Sequence, residues 1–236
     1  MKVLVIGGSH GVGREVVRQA AAAGHSVTVF SRRPERAGLT DPRLALFPGS
    51  VLITADVEAV VPGHDAIICT LGIPTGSAIG LPGKRHPVLS AGTKNLVDAA
   101  QRHGSKRVIL LTAIGAGDSR RNLTTAGRLG LRLGLPYLYA EKDRQEQTLR
   151  ASSLDWTIVR PTALTDGPQT GTYGVHNYPG GPAFTSGLLT HISRADVAGF
   201  IVGQLGKTDH LGHAVTLSYP ARFGDSLRWI ANFRAR

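Results

Sequence analysis

The sequence MKVLVIGGSHGVG, residues 1–13, decides the fold of this chain. Its first six residues form a short, almost wholly apolar run, which predicts a buried β-strand. Glycines at positions 7, 8, 11 and 13 follow at once. The stretch from Arg14 to Ala23, with Gly24 behind it, predicts a helix that ends at a glycine. The chain therefore opens with a strand, a glycine-rich turn and a helix.

The glycines of this turn suit it to phosphate binding. A backbone without side chains can reverse tightly, let a pyrophosphate approach and allow the helix to pack against the strand. The helix N-terminus offers free N–H groups and the positive end of its dipole. An ordinary strand-to-helix turn would show similar glycines, but a second strand, Ser26–Phe30, follows at the spacing of a βαβ unit. The motif indicates a dinucleotide-binding fold.

The residues after the second strand indicate which dinucleotide is bound. NAD binders place Asp or Glu there for the ribose 2′-hydroxyl, whereas NADP binders place Arg for the 2′-phosphate. This chain has Ser31, Arg32 and Arg33, with no acid before Glu35. A guanidinium binds phosphate bidentately, and the serine hydroxyl adds a donor. The pattern favours NADP(H), while a solvated basic loop is the alternative.

Strand and helix patterns alternate along the rest of the chain. They predict an α/β fold with a doubly wound parallel sheet in a single domain over residues 1–236. Ligands of such sheets bind beyond the carboxyl ends of the strands. We therefore expect substrate-pocket loops at 72–86, 116–138 and 164–189. Within the second of these, 127–139 is predicted to be a loop packed beside the sheet, with a lid or a membrane-contacting element as alternatives.

Composition narrows the function classes. The net charge is +11, but the Lys and Arg residues are scattered and do not alternate with aromatics, so we expect no nucleic-acid partner. The nine histidines do not have the spacing of metal ligands, so no metal site is expected. The single cysteine, Cys69, suggests a reducing compartment. No apolar stretch is long enough to span a membrane, and the first residues read as a strand rather than a signal peptide. We expect a cytoplasmic protein, a monomer or homodimer, that acts on a small molecule.

Further motifs follow in a characteristic order. They are GHDAIICTLG at 63–72, GTKN at 92–95, KRV at 106–108, LDWTIVRP at 154–161, LTDGPQTG at 164–171 and ISRADVA at 192–198. With the glycine turn, they resemble the atypical short-chain dehydrogenase/reductase superfamily, in particular the NAD(P)H-binding group that includes flavin reductase/biliverdin-IXβ reductase. The resemblance covers nearly the whole chain. It implies a Rossmann core, NADPH and hydride transfer to a small conjugated or aromatic acceptor.

The resemblance also implies positions that contact the cofactor. They surround the pyrophosphate at the glycine turn, the 2′-phosphate after the second strand, and the ribose and nicotinamide after the fourth and sixth strands. His10 departs from the family glycine pattern and either donates to phosphate or faces solvent. Gly49 and Ser50 stand where the family has Gly-Asp near the adenine, so that contact is altered. The expected contacts are Gly7, Ser9, His10, Gly11, Val12, Gly13, Ser31, Arg32, Arg33, Ser50, Val51, Leu71, Gly72, Thr112, Ala113, Pro161, Thr162, Ala163 and Leu164.

The proton-donor pattern of the standard short-chain enzymes is incomplete. Those enzymes use Ser with Tyr-x-x-x-Lys, in which the tyrosine donates a proton while the lysine lowers its pKa and anchors the ribose. Here Ala113 stands at the serine position with Thr112 before it, and Leu138 stands four residues before Lys142. Tyr139 lies three residues before the lysine, on the same side of a helix.

Thr112, Tyr139 and Lys142 are therefore the candidate catalytic residues, each with an open alternative. Thr112 is expected to act as an orienter or weak donor, and Tyr139 either reaches the pocket or packs at the start of its helix. Lys142 either holds ribose hydroxyls or forms a surface ion pair with Glu141 or Glu146.

The sequence as a whole predicts an NADPH-dependent reductase. Its acceptor is expected to be a small planar conjugated molecule, such as a flavin, a quinone-like ring or an enone, and a role in secondary metabolism would fit the altered triad. An NADP-binding sensor without catalysis and a non-redox isomerase or dehydratase remain as alternatives.

Overall fold

The structure, a computed structural model, describes residues 1–73, 87–105, 107–176 and 190–220. Its strands are β1 (Lys2–Ile6), β2 (Ser26–Ser31), β3 (Leu44–Pro48), β4 (Ala66–Cys69), β5 (Arg107–Leu111), β6 (Asp155–Pro161), β7 (Ala163–Thr165), β8 (Gly174–His176), β9 (His191–Ser193) and β10 (His213–Ser218). Its helices are α1 (Gly11–Ala22), α2 (Thr54–Val60), α3 (Val88–Arg102), α4 (Thr125–Gly134), α5 (Pro136–Arg150) and α6 (Arg194–Gly203). Short 3₁₀ helices cover Pro34–Ala37 and Gly117–Asn122.

The main sheet is an open Rossmann sheet with the strand order β3-β2-β1-β4-β5-β6-β10-β8. Every neighbouring pair is parallel except β10 and β8, which are antiparallel. A separate parallel pair joins β7 to β9. The strand order reverses between β1 and β4, which is where ligands of such sheets bind. The predicted doubly wound parallel fold is confirmed.

The core lies on both faces of the sheet because successive side chains of a strand point to opposite sides. Val3 and Val5 of β1 face a cluster that includes residues of α1 and α6, whereas Leu4 and Ile6 face a cluster with residues of α2, α3 and α5. All four of these side chains are fully buried. This double burial explains the near-continuous apolar run in the sequence.

The structure corrects the predicted loops. Helix α1 begins at Gly11, earlier than the predicted Arg14, and the Arg14 N–H donates to the carbonyl of His10 over 3.2 Å. Apart from Leu135, residues 127–139, predicted as a packed loop, belong to α4 and the start of α5. Loop 116–138 therefore contains a 3₁₀ helix, all of α4 and the start of α5, and loop 164–189 contains β8 and part of β7. Residues 74–86 and 177–189 of the predicted pocket loops lie outside the described residues.

Candidate functional site

The glycine turn between β1 and α1 has a backbone that only glycine adopts without strain. Gly7 has φ +84° and Gly11 has φ +56°. A Cβ on Gly13 would lie 2.5 Å from the hydroxyl oxygen of Thr70 and closer still to the carbonyl oxygen of Gly7. His10 is exposed at the N-cap, its side chain makes no capping hydrogen bond, and the first turn of α1 contains no acid. The free N–H groups of α1 therefore fit a pyrophosphate.

The end of β2 lies beside this turn. Ser9 Oγ donates a hydrogen bond to Ser31 Oγ over 2.5 Å, and the backbone N–H of Arg33 donates to the same oxygen over 3.3 Å. Arg32 and Arg33 are exposed, and within the described part of the chain neither guanidinium has a carboxylate within 4.0 Å. Two unneutralised cations thus flank a serine hydroxyl where a dinucleotide's adenosine ribose is expected.

The turn after β3 is braced by residues that the sequence analysis did not single out. The backbone N–H of Ser50 donates to Asp56 Oδ2 over 2.8 Å, and Asn95 Nδ2 donates to the carbonyl of Val51 over 2.8 Å. The family's acidic position is Ser50 here, so Asp56 brings a carboxylate to this turn from α2. The structure places Asp56 in the first turn of α2, a few residues after Gly49 in the chain.

The wall expected to face the nicotinamide is tied to the ends of β6 and β10 and to the residue before β9. The Ile114 N–H donates to the carbonyl of Pro161 over 3.0 Å, and the Thr162 N–H donates to the carbonyl of Leu217 over 3.0 Å. The Ala163 N–H donates to the carbonyl of Thr190 over 3.2 Å. These bonds fix residues 161–164 and the half-buried Ala113 at the carboxyl edge of the sheet. Leu71 and Gly72 follow β4, which borders the switch point, and a Cβ on Gly72 would meet no atom of the described residues within 4 Å.

Thr112 is buried, and its hydroxyl is hydrogen-bonded within the protein. Its hydroxyl donates to Glu146 Oε1 over 2.8 Å, and Arg160 Nε donates to the same oxygen over 2.9 Å. Arg160 also contacts Glu146 Oε2, and its Nη2 donates to Asp118 Oδ1 over 2.6 Å. Burial alone would raise the pKa of Asp118, but the hydrogen bond and charge of Arg160 outweigh it and lower that pKa. The Thr112 proton is therefore committed to a buried ionic network.

Tyr139 is also bonded away from solvent. Its hydroxyl donates to the carbonyl of Ile114 over 3.1 Å, in the segment after β5. Burial raises the pKa of Tyr139 to about 12. Leu138, at the position of the usual tyrosine, is buried. Of the two predicted alternatives, this geometry matches a tyrosine packed near the start of its helix.

Lys142 lies inside the molecule, with 8% of its surface exposed. Burial lowers the pKa of this lysine to about 8, although the charges of Glu146 and Cys69 act in the opposite direction. The alternative of a surface ion pair is not found: among the described residues no carboxylate lies within 4.0 Å of the ammonium, and Glu141 is paired with Arg144 instead. Thr112 and Lys142 therefore both lie near Glu146, whereas Tyr139 points to the segment after β5.

The comparison with protein families agrees with this geometry. A family model described as NAD(P)H-binding matches residues 7–208. The chain belongs to the NAD(P)H-binding family. The resemblance stated from the sequence motifs is thereby confirmed, and the fold and cofactor cradle are those of an oxidoreductase-type family.

Relatives of this NAD(P)H-binding protein carry several different names. It is 30% identical to an uncharacterized sugar epimerase, YhfK, of Bacillus subtilis, over 92% of this chain and 94% of that one. An uncharacterized chloroplastic protein of Arabidopsis thaliana is 31% identical over 72% of this chain, which spans only 61% of that relative's length. A Streptomyces griseus enzyme named (4-alkanoyl-5-oxo-2,5-dihydrofuran-3-yl)methyl phosphate reductase is 24% identical over 92% of this chain and 68% of its own.

Solved structures share the fold. ChuY, described as an anaerobillin reductase from Escherichia coli O157:H7, superposes with a TM-score of 0.73 at 24% identity, covering 94% of this chain and 98% of its own.

Two further observations concern the described residues of this family member. No group of three or more His, Cys, Asp and Glu side chains among them could hold a metal ion. None of the helices that the structure describes is long and apolar enough to cross a membrane.

Proposed function

We propose that this chain is an NADPH-dependent reductase that transfers a hydride to a small planar conjugated molecule, such as a flavin, a quinone-like ring or an enone. The observation that carries the proposal is a contrast within one site. The glycine turn and the two arginines after β2 are exposed to a ligand, whereas the hydroxyl protons of Thr112 and Tyr139 are both donated to protein acceptors.

The choice of NADPH is supported by the end of β2. Arg32 and Arg33 are exposed cations beside the Ser31 hydroxyl. A 2′-phosphate would accept hydrogen bonds from both side-chain types, and a guanidinium matches its oxygens bidentately. The first acid after β2, Glu35, lies in a 3₁₀ helix and not at the position that holds an NAD ribose.

The nature of the acceptor is supported by the bonding of the two candidate proton donors, Thr112 and Tyr139, to acceptors within the protein. Bound NADPH would supply the hydride, and the chain would position it. Residues 161–164 would hold the nicotinamide face, and Lys142 would donate hydrogen bonds to the ribose. A simple ketone needs a proton as the hydride arrives, but a conjugated acceptor spreads the negative charge over its ring and can take the proton from water. The compound named for the Streptomyces griseus relative has an unsaturated ring beside a carbonyl, which is of this acceptor class.

The walls of the substrate pocket would come from the three predicted loops, 72–86, 116–138 and 164–189. In the second loop, α4 lies over the segment that follows β5, since a Cβ on Gly115 would lie 2.6 Å from Leu131 Cδ1.

A sensor that binds NADP without catalysis is the second candidate. The same inward-bonded hydroxyls favour it, because a protein that only reports a nucleotide needs no proton donor. An acceptor-dependent loss of NADPH would separate the reductase from the sensor, and a product without net redox change would indicate an isomerase or dehydratase.

The first experiment is a titration with NADPH and NADH, followed by nicotinamide fluorescence. The double variant Arg32→Ala, Arg33→Ala is compared with a charge-matched control, Arg18→Ala, Arg102→Ala, whose side chains pair with Glu15 and Glu58 elsewhere on the surface. We expect the first variant to lose roughly 10- to 100-fold in NADPH affinity, with NADH affinity unchanged, because hydrogen bonds to a charged group contribute about 1.5–3 kcal/mol. The control should bind like the wild type.

Tight NADPH binding would then justify a screen of flavins, quinones and enones as acceptors. If the wild-type protein binds neither nucleotide, the reductase proposal is wrong.

A further inference from the structure

A cation from the second half of the chain lies against the glycine turn. Arg194 is the first residue of α6, and its side chain is 30% exposed. A Cβ placed on Gly11 would lie 3.7 Å from Arg194 Nε and 3.9 Å from its Cδ. The guanidinium therefore borders the backbone that begins α1.

The backbone at Arg194 is held in a fixed position relative to the glycine turn. Ser193 caps α6 by accepting a hydrogen bond from the Asp196 N–H over 3.0 Å. Gln19 of α1 donates from Nε2 to the carbonyl of Ala195 over 2.9 Å, and both residues are buried. Helices α1 and α6 also share one hydrophobic cluster. The distance between Arg194 and Gly11 thus follows from the packing of two helices.

The far end of the arginine contacts the segment that follows β7. Arg194 Nη1 donates to Asp166 Oδ1 over 2.5 Å. The same segment is tied to α6 a second time, because the backbone N–H groups of Thr170 and Gly171 each donate to Asp196 Oδ1 over 2.8 Å. A guanidinium has five N–H donors, so one ion pair leaves donors for a second anion.

We propose that Arg194 is a ligand of the cofactor pyrophosphate. This inference rests on the proposed dinucleotide binding and adds a contact from α6 to the N–H groups of α1. The pyrophosphate carries two negative charges, the first turn of α1 contains no acid, and the guanidinium geometry suits phosphate oxygens. Arg32 and Arg33 lie at the end of β2, so they serve the 2′-phosphate and leave the pyrophosphate to Arg194. One side chain then joins the pyrophosphate turn to the segment after β7.

The test compares ligands that do and do not contain a pyrophosphate. Dissociation constants of NADPH, NADH and ADP-ribose are measured by calorimetry for the wild type, Arg194→Ala and Arg194→Lys, and adenosine 2′-monophosphate is the ligand without a pyrophosphate. Arg194→Ala should weaken the three pyrophosphate ligands by roughly 10- to 100-fold, as expected for a charge-assisted hydrogen bond. It should leave the affinity for adenosine 2′-monophosphate unchanged. Arg194→Lys should recover part of the loss, because lysine keeps the charge without the bidentate geometry.

Arg18→Ala is the matched control, since it removes an arginine from the outer face of α1 that pairs with Glu15. It should not change any of the four affinities. Unchanged ADP-ribose binding by Arg194→Ala would overturn the inference while leaving the proposed function intact. An equal loss for adenosine 2′-monophosphate would also overturn it, because the effect would then lie outside the pyrophosphate. A wild-type protein that binds none of the dinucleotides would remove the proposed function together with the inference.

Discussion

Two neighbouring regions at the carboxyl edge of the sheet use their polar groups in opposite ways. In the region of the glycine turn and the end of β2, Arg32 and Arg33 face solvent, and His10 and Gly11 at the start of α1 are exposed. In the region around α5, Thr112 and Tyr139 donate their protons to protein acceptors, and Lys142 is buried. The first region keeps its binding capacity for a charged ligand, whereas the two hydroxyls of the second are already bonded within the fold.

The largest effect should come from breaking the buried ionic network. Glu146→Ala would leave the Arg160 guanidinium with the half-exposed Asp118 as its remaining carboxylate contact and would leave the Thr112 hydroxyl without its acceptor. We expect a loss of about 3–5 kcal/mol in the free energy of unfolding, as found when one partner of a buried pair is removed. Urea denaturation measures it. Asp98→Asn, which breaks the exposed pair with Lys94, should cost at most about 1 kcal/mol. Equal losses for the two variants would contradict this account.

The second-largest effect should come from a substitution that disrupts the glycine turn. In Gly13→Ala the new methyl group would overlap Thr70 Oγ1 and the Gly7 carbonyl, neither of which lies at the end of a flexible side chain. Overpacking of this kind costs about 1–3 kcal/mol or more, and the shift of the turn should abolish dinucleotide binding. Thermal unfolding and the NADPH titration report the two effects. Gly130→Ala in α4 would meet no atom of the described residues within 4 Å and should leave both the unfolding temperature and NADPH binding unchanged or raise stability slightly.

A third prediction concerns the pH dependence contributed by Lys142. Burial lowers the pKa of this lysine from 10.5 to about 8, so between these pH values the unfolded chain binds more protons than the folded one. The free energy of unfolding of the wild type should therefore rise with pH through this window, relative to Lys142→Met. One pKa unit corresponds to about 1.4 kcal/mol, so the lowering from 10.5 to about 8 corresponds to about 3.5 kcal/mol in all, of which about 2–3 kcal/mol should be gained between these two pH values. Urea denaturation of both proteins at several pH values measures it, and a constant difference would show that the lysine is solvated.

The smallest change should come from Tyr139→Phe. It removes one hydrogen bond to the carbonyl of Ile114 and should cost about 1 kcal/mol of stability. The rate of acceptor-dependent NADPH oxidation should stay the same, because the proton comes from water in the proposed reaction. A general acid contributes typically 10²- to 10⁴-fold, so a rate loss of that size would identify Tyr139 as the proton donor instead.

Much of the fold could be predicted because its signals are local. The apolar runs of β1, β4 and β5 reflect burial on both faces. Gly7 and Gly11 reflect positive φ angles that other residues rarely adopt, and Gly13 reflects the close approach of Gly7 and Thr70. Helix α4 could not be predicted because three glycines interrupt it and none of its residues is buried. Its one local signal is Thr124, whose hydroxyl accepts from the Gly127 N–H. Strands β7 and β8 have three residues each, too few for a period to show.

The candidate site also contains residues whose role local sequence predicts and residues whose role it does not. The positions of the glycine turn and of Arg32 and Arg33 follow from their place after β1 and β2. The state of Thr112 does not, because its acceptor, Glu146, lies 34 residues away in the chain and is itself held by Arg160. The sequence suggests that the Thr112 hydroxyl is free to donate to a ligand. In the folded chain it already donates to Glu146. Contacts between distant helices and strands leave no local pattern.

The pairing of the edge strand β8 sets the order in which parts of the sheet can form during synthesis. Among the described strands, β8 pairs with β10 alone, and β10 pairs with β6 on its other side. His176 of β8 meets Ser218 of β10, which is synthesised 42 residues later. Residues 174–176 must therefore wait, as the chain leaves the ribosome, until β10 has joined the sheet. The glycine turn precedes both strands in the chain, so a nascent chain can form its phosphate-binding turn before it can close this far edge.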